Sequence, residues 1–268
     1  MRILVVGADG LVGRALRARI PEHGYRLVAL NRAECDVTVS ADRERALALA
    51  RPDLVIFCAA FTRVDLTTPE AAAVNAEAPG AWAAQVPTLW LSSNFVMGGP
   101  GPHPPERPPR PEGTYAVQKV QGEQAVLAAG GTVARVGWIY GPGGQTFAST
   151  LVKRFESGER VAAVWDVVVQ PSWSLDVADG LLSLVQSGLR PGRIEHVIGS
   201  GETTWYRFAL AVWARVRRGE VAPVRQRDLG LRAPRPEDAR LIPATLPPWW
   251  ARVDTLVAAH RTQMDQVP

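Results

Sequence analysis

Cysteine is nearly missing from this 268-residue chain: Cys35 and Cys58 are the only two. Their separation makes no CxxC pair, which removes a disulfide framework and a thiolate zinc site from consideration. Histidine is scarce as well. His23, His103, His196 and His260 each stand apart from any cysteine or carboxylate at ligand spacing, so no metal is expected. Neither sign of charge is segregated. Thirty basic and 26 acidic residues are interspersed, for a net +4, so no polybasic face for nucleic acid is expected. Long apolar runs are lacking too; the stretch Leu54 to Phe61 falls far below the roughly 20 residues needed to span a bilayer. The opening MRILVVGADG offers no signal-peptide core or cleavage site, and the expectation is a cytoplasmic protein with no membrane partner. Lysine is the rarest cation, at Lys119 and Lys153 alone, the other basic residues being arginine.

What is present is enough apolar sequence, 47%, to bury a large core. In the first half, short aliphatic runs alternate with stretches of three- and four-residue apolar spacing. The runs predict strands at Ile3 to Val6, Arg26 to Leu30, Asp53 to Phe57, Thr88 to Ser92 and Thr132 to Val136. Helices are predicted at Leu11 to Ile20, Ala41 to Arg51, Pro69 to Gln85 and Thr114 to Ala129. That rhythm implies an α/β fold with a doubly wound, Rossmann-like parallel sheet. Gly98 to Gly113 is too rich in Pro and Gly for a helix or inner strand and reads as a loop near a site. Beyond Gly141 the rhythm loosens, with helices expected at Phe147 to Glu156, Leu175 to Ser187 and Thr204 to Arg218. The division expected is a dinucleotide-binding domain over 1–142 and a smaller C-terminal substrate lobe over 143–268, with 160–190 returning to the Rossmann sheet. The pair Trp249-Trp250 is expected to anchor the tail on the core.

Three pieces carry chemistry. The first strand runs into Gly7-Ala8-Asp9-Gly10-Leu11-Val12-Gly13 and then a helix, the context in which backbone amides meet a dinucleotide pyrophosphate. Gly7 permits the tight turn, Gly10 admits the phosphate, and Gly13 lets helix and strand approach. After the second strand, Asn31-Arg32 replaces the acidic residue that would hold an NAD ribose, so Arg32 favours the 2'-phosphate of NADPH, with NADH as the alternative donor. Tyr115 and Lys119, four apart, share one helix face, where an ammonium near a phenol would lower its pKa and make it a proton donor. Ser93 sits at a strand end, the edge where ligands bind in this architecture.

Together these pieces resemble the extended short-chain dehydrogenase/reductases and, over nearly the whole chain, the dTDP-4-dehydrorhamnose reductase family. The resemblance is carried by Ala59 to Asp65, Ala73-Val74-Asn75-Ala76, Ala78-Pro79-Gly80, Tyr115 to Lys119 with Gly122-Glu123, and Arg135 to Gly141. Gln170-Pro171-Ser172-Trp173, Thr204 to Ala209 and Arg235-Pro236 extend it. It implies NAD(P)H-dependent reduction of the C4 ketone of a nucleotide-linked 6-deoxy-4-keto sugar, with Tyr115, Lys119 and Ser93 as the catalytic triad. By the same resemblance Gly10, Leu11, Val12, Asn31, Asp36, Val37, Ala60, Phe61 and Thr62 lie along the cofactor, and Ser93, Asn94 and Trp138 meet the sugar. A homodimer is within what the resemblance implies. Asn94 stands where the family usually has a substrate-facing Asp, which leaves the sugar open. Two other readings stay in view: a non-catalytic NADP-binding regulatory subunit, and a nucleotide-sugar epimerase or dehydratase.

Overall fold

The computed structural model describes residues 1–264. In chain order its elements are β1 (Arg2–Val6), α1 (Leu11–Glu22), β2 (Arg26–Leu30), α2 (Ser40–Ala50), β3 (Leu54–Phe57), α3 (Ala78–Ala83), β4 (Thr88–Ser93), α4 (Gly113–Ala128) and β5 (Thr132–Val136). The second half adds β6 (Ile139–Tyr140), α5 (Phe147–Glu156), β7 (Arg160–Val164), β8 (Ser172–Trp173), α6 (Ser174–Gln186), β9 (Ile194–His196), α7 (Trp205–Val216), β10 (Glu220–Val224) and α8 (Val253–Met264).

The aliphatic runs become strands buried on both faces, which is why they read as continuous hydrophobic stretches rather than alternating ones. They form a six-stranded parallel sheet in the order β2-β1-β3-β4-β5-β9. One face carries Ile3, Val5 and Ile56 against Leu16 and Ile20 of α1 and Val177 and Leu181 of α6. The other carries Leu4, Val55 and Phe57 against Trp82 of α3 and Val126 of α4. Because β2 and β3 flank β1 on opposite sides, the chain leaves β1 toward one face and β3 toward the other. A crevice therefore opens at the carboxyl ends of these strands.

Two glycines make that crevice. Gly7 has φ +79°, and a Cβ there would lie 2.6 Å from the Ala59 nitrogen. A Cβ on Gly13 would lie 2.4 Å from the Gly7 carbonyl oxygen, so α1 can pack this close only without a side chain. Gly13→Ala is expected to cost about 1–3 kcal/mol of unfolding free energy by overpacking, read as a lower urea midpoint at unchanged slope.

The helix expected over Pro69 to Gln85 is broken into a 3₁₀ turn at Pro69–Ala71, a π turn at Ala73–Glu77 and α3. Pro79 has no N–H to give the carbonyl four residues back, that of Asn75. That carbonyl instead lies against Gly122, where a Cβ would come within 2.5 Å of it. The π turn also frees the Asn75 side chain, which accepts from the Phe61 N–H (2.9 Å) and donates to the Phe61 carbonyl (3.2 Å) and Gln118 Oε1 (3.1 Å).

The second half builds its own core from Leu151, Phe155, Phe208, Val212 and Val253 on α5, α7 and α8. Residues 160–164, expected to return to the large sheet, pair instead with β10 in a separate two-stranded parallel sheet. The pattern of β7 explains this: it buries alternate residues along its first four positions and so covers one face only, unlike the two-sided inner strands. The return is made by α6, packed on α1, and by β9, which pairs with β5. Trp249 is buried in the second core, whereas Trp250, expected to pack with it, is 53% exposed and covers Gly201. Residues 98–112 form a loop, with Gly113 opening α4, and it is held to the tail by His103 N–H to the Arg240 carbonyl (2.8 Å) and Ile242 N–H to the His103 carbonyl (3.0 Å). Among the described residues no helix is long and apolar enough to cross a membrane.

His196 ends β9 in the interior, and burial pulls its pKa down to about 4. The unfolded chain, with an ordinary imidazole near 6.5, then binds the extra proton first, so stability is lost as pH falls from about 6.5 toward 4. The loss amounts to about 3 kcal/mol. His196→Asn is expected to flatten this pH dependence, measured by urea denaturation at pH 7 and pH 5.

Candidate active site

The crevice is a cleft of about 720 Å³ walled from both halves of the chain. On one side lie Gly10, Leu11 and Val12 at the start of α1, with Ala60 and Thr62 beyond β3. On the other lie Ser93 and Asn94 at the end of β4, Tyr115 and Lys119 on α4, and Trp138. These ten predicted residues are brought together. Gly7, Asn31, Arg32, Asp36, Val37 and Phe61 are not among those lining the cleft. Asn31 makes a tight turn, its Oδ1 accepting from the Ala33 N–H (2.9 Å), and Arg32 is exposed. Asp36 accepts from the Thr38 hydroxyl (2.7 Å) and N–H (3.0 Å), bonds that hold its carboxyl below the usual range. Val37 is buried in the core, its carbonyl taking the Trp82 indole N–H at 3.1 Å.

Tyr115 and Lys119 share the buried face of α4. Lys119 Nζ donates to the Leu91 carbonyl at 2.7 Å and lies 3.8 Å from the centroid of the Trp90 ring. Desolvation draws its pKa down to about 7, with Glu123 and Cys58 acting in the opposite direction. The phenol of Tyr115 does not follow the expectation of a lowered pKa. Burial raises it, and a hydrogen bond with the Ser93 hydroxyl only partly offsets this. The tyrosine is therefore fully protonated at neutral pH, as a proton donor requires. Ser93 Oγ also accepts the Phe95 N–H at 3.2 Å, which fixes the turn after β4.

Asn94 is buried, and its Nδ2 donates to the Ala239 carbonyl at 3.2 Å, a contact that a carboxylate would turn into repulsion. Among the described residues its buried Oδ1 has no hydrogen-bond partner. Trp138 has φ +44°, a conformation that is costly for a bulky residue. Rings brace it on both sides: Phe95 at 5.3 Å and Trp205 at 4.7 Å, in a row that continues to Tyr115 at one end and Phe147 at the other.

Sequence reasoning missed Phe95, Phe147, Trp205, Cys58 and Arg235 as cleft residues. Phe147 and Trp205 open α5 and α7, each just after a threonine whose hydroxyl caps the helix. That signal places them at a helix start without saying which face they meet. Cys58 is inert there, its thiol pushed up to about 12 by burial. At the glycine turn, a Cβ on Gly10 would meet only the Gly7 carbonyl, at 3.3 Å. The head of α1 is thus open to the cleft, and the residues present fit an anionic group.

Fold and cleft together define a Rossmann-type α/β protein with a tyrosine, a lysine and a serine gathered at the carboxyl edge of its sheet. The model of the RmlD substrate binding domain matches residues 1–250, and the chain belongs to that family, the family of dTDP-4-dehydrorhamnose reductase. It is 36% identical over 253 residues to a probable dTDP-4,6-dihydroxy-2-methyloxan-3-one 4-ketoreductase of Streptomyces antibioticus, covering 88% of this chain and 85% of the relative. It is 35% identical over 224 residues to a dTDP-4-dehydrorhamnose reductase of Streptomyces griseus, covering 78% and 74% respectively. In fold it is similar to the dTDP-4-dehydrorhamnose reductase of Bacillus anthracis in complex with NADP. There the TM-score is 0.89 at 23% identity, over 96% of this chain and 98% of the other.

Proposed function

We propose that this protein is an oxidoreductase that reduces the C4 ketone of a dTDP-linked 6-deoxy-4-keto sugar with NADPH. The observation that carries the reading is the gathering of Tyr115, Lys119 and Ser93 in one cleft with the open glycine turn at the head of α1. The names of relatives 35–36% identical, both keto-sugar reductases, support the substrate class.

In this reading the reduced nicotinamide, when bound, supplies hydride. Gly7, Gly10, Leu11 and Val12 take its pyrophosphate against the amides of α1; Ala60, Phe61 and Thr62 follow the other wall. Asn31, Asp36 and Val37, beyond the cleft lining, would lie on the adenosine side, and the exposed Arg32 would neutralise a 2'-phosphate, which would set NADPH above NADH. Lys119 holds the nicotinamide ribose. Asn94 and Trp138 meet the sugar, the free Oδ1 of Asn94 accepting a sugar hydroxyl. Ser93 donates a hydrogen bond to the carbonyl oxygen, and Tyr115 passes its phenolic proton there as negative charge develops. Donors aimed at that oxygen bind it more tightly in the transition state than in the ground state and lower the barrier. Asn94 carries no titratable group, so dehydration or epimerisation would lack a second acid–base residue beside Ser93.

The test is label transfer. With NADPH carrying deuterium at nicotinamide C4, one deuterium is expected at C4 of the sugar, seen by mass spectrometry of the product. Unlabelled sugar beside intact NADPH would remove the reductase reading.

A further inference from the structure

Lys119 is the one cation of α4, and it is almost wholly buried. Taking an ammonium out of water favours its neutral form, and burial draws this one down to about 7. A lysine that is to carry charge at neutral pH therefore needs a compensating group close by. The titratable groups around it supply little. Tyr115, one turn before it, is protonated, since burial raises its phenol. Cys58, beyond β3, has its thiol pushed up to about 12 and is neutral as well. Glu123, one turn after it, acts to keep Lys119 charged, but its oxygens are already taken by Arg135 Nε (2.9 Å), Arg135 Nη2 (2.7 Å) and Ser92 Oγ (2.6 Å). Among the described residues the single hydrogen bond of Nζ goes to the Leu91 carbonyl, at 2.7 Å.

What stands against the ammonium instead is Trp90 of β4. Its ring centroid lies 3.8 Å from Nζ, well inside the roughly 6 Å over which a ring face attracts a cation. Two features fit the place to an indole. Gly122 follows Lys119 by three residues on the same face of α4, and a Cβ there would come within 2.6 Å of Trp90 Cη2. A side chain at 122 would displace the ring from Nζ. The second feature is the indole N–H, which has no partner among the described residues although Trp90 is fully buried. An unsatisfied N–H of this kind costs about 1–3 kcal/mol, a cost that a phenyl or aliphatic side chain would not carry. What the indole offers in return is its face, the best that a side chain presents to a cation.

We propose that Trp90 is a positioning residue for Lys119, its ring holding that side chain charged and in place at the wall of the cleft. That the charge serves the nicotinamide ribose and Tyr115 rests on the reductase reading; the hold of the ring on the charge does not.

The chain has only two lysines, so isotope-labelled lysine gives two side-chain NMR signals, with the exposed Lys153 as internal reference. Their titration reads the charge on Lys119 directly in the wild type, in Trp90→Phe and in protein whose nine tryptophans are all replaced by fluorotryptophan. Fluorine withdraws electron density from the ring face and keeps its shape, so the fluorinated protein decides the matter even if Trp90→Phe does not fold. A ring that stabilises the ammonium raises its pKa, and a weaker ring lets it fall. The Lys119 midpoint is expected to drop by about 0.3 pH units with fluorotryptophan and by about 0.5 in Trp90→Phe, while that of Lys153 stays fixed. A tryptophan that only fills space gives the same Lys119 midpoint with and without fluorine, and that result overturns the proposal whatever the turnover. In the reductase reading Trp90→Phe also loses more kcat at pH 8 than at pH 6, because the neutral lysine gains ground first at high pH. A lowered midpoint in a protein that reduces no ketone establishes the role of Trp90 and sinks the reductase reading alone.

Discussion

Tyr115→Phe is expected to lower kcat for the keto sugar by about three orders of magnitude while NADPH still binds. The substitution removes one oxygen and keeps the ring, whose edge-to-face contact with Phe95 at 5.8 Å survives. What disappears is the proton for the carbonyl oxygen, and general acid catalysis of this kind is worth about 10²–10⁴ in rate. Because burial raises the phenol pKa, the donor stays protonated across the neutral range. Steady-state kinetics beside fluorescence titration of NADPH separates the two effects. A variant that keeps wild-type kcat would show that water or another group supplies the proton.

The second large effect is on stability. Glu123 and Arg135 form a buried ion pair between α4 and β5, with Arg135 Nε on Oε1 at 2.9 Å and Nη2 on Oε2 at 2.7 Å. Ser92 Oγ adds a third donor to Oε1 at 2.6 Å. Both side chains are almost wholly shielded from water, so Glu123→Ala strands a guanidinium in the interior next to β9. Breaking such a pair from one side costs about 3–5 kcal/mol, a large part of the 5–15 kcal/mol that holds a typical domain together. The double variant Glu123→Met with Arg135→Met is expected to recover much of the loss, because it removes both charges from the core. Urea denaturation of single and double variants reads this directly; additive losses would mean that the pair is not coupled.

The sheet was legible because its inner strands are buried on both faces and so write themselves as unbroken aliphatic runs. The expected Thr132 to Val136 is the strand observed, and Ile3 to Val6 differs by one residue. The cleft was half legible. Gly10, Ser93, Tyr115 and Lys119 announce themselves through local patterns, a turn between strand and helix, a strand end and a four-residue spacing. Arg235 and Trp205 could not, since Arg235 is placed by Asp65 of the turn after β3 and Trp205 by the Trp138 and Phe147 rings, contacts between distant parts of the chain that no local spacing encodes. Lys119 shows a different gap. Its four-residue spacing from Tyr115 was readable, but the pKa of either group was not, because burial sets both shifts and the Lys119 ammonium goes to the Leu91 carbonyl. The break at Asn75 was written in Pro79, whose missing N–H a helical periodicity does not count. The family's motif residues Asn75, Gly122 and Glu123 prove to be structural, clamping Phe61, admitting the Asn75 carbonyl and pairing with Arg135.

In the proposed reaction the cleft couples nicotinamide oxidation to reduction of a sugar ketone. The most direct measurement is the loss of NADPH absorbance by the purified protein with and without enzymatically prepared dTDP-4-keto-6-deoxy sugar. Oxidation is expected only when the ketone is present, with one reduced sugar formed per NADPH consumed. NADPH that binds tightly yet stays reduced in the presence of that ketone would contradict it and leave a nucleotide-binding protein without this turnover.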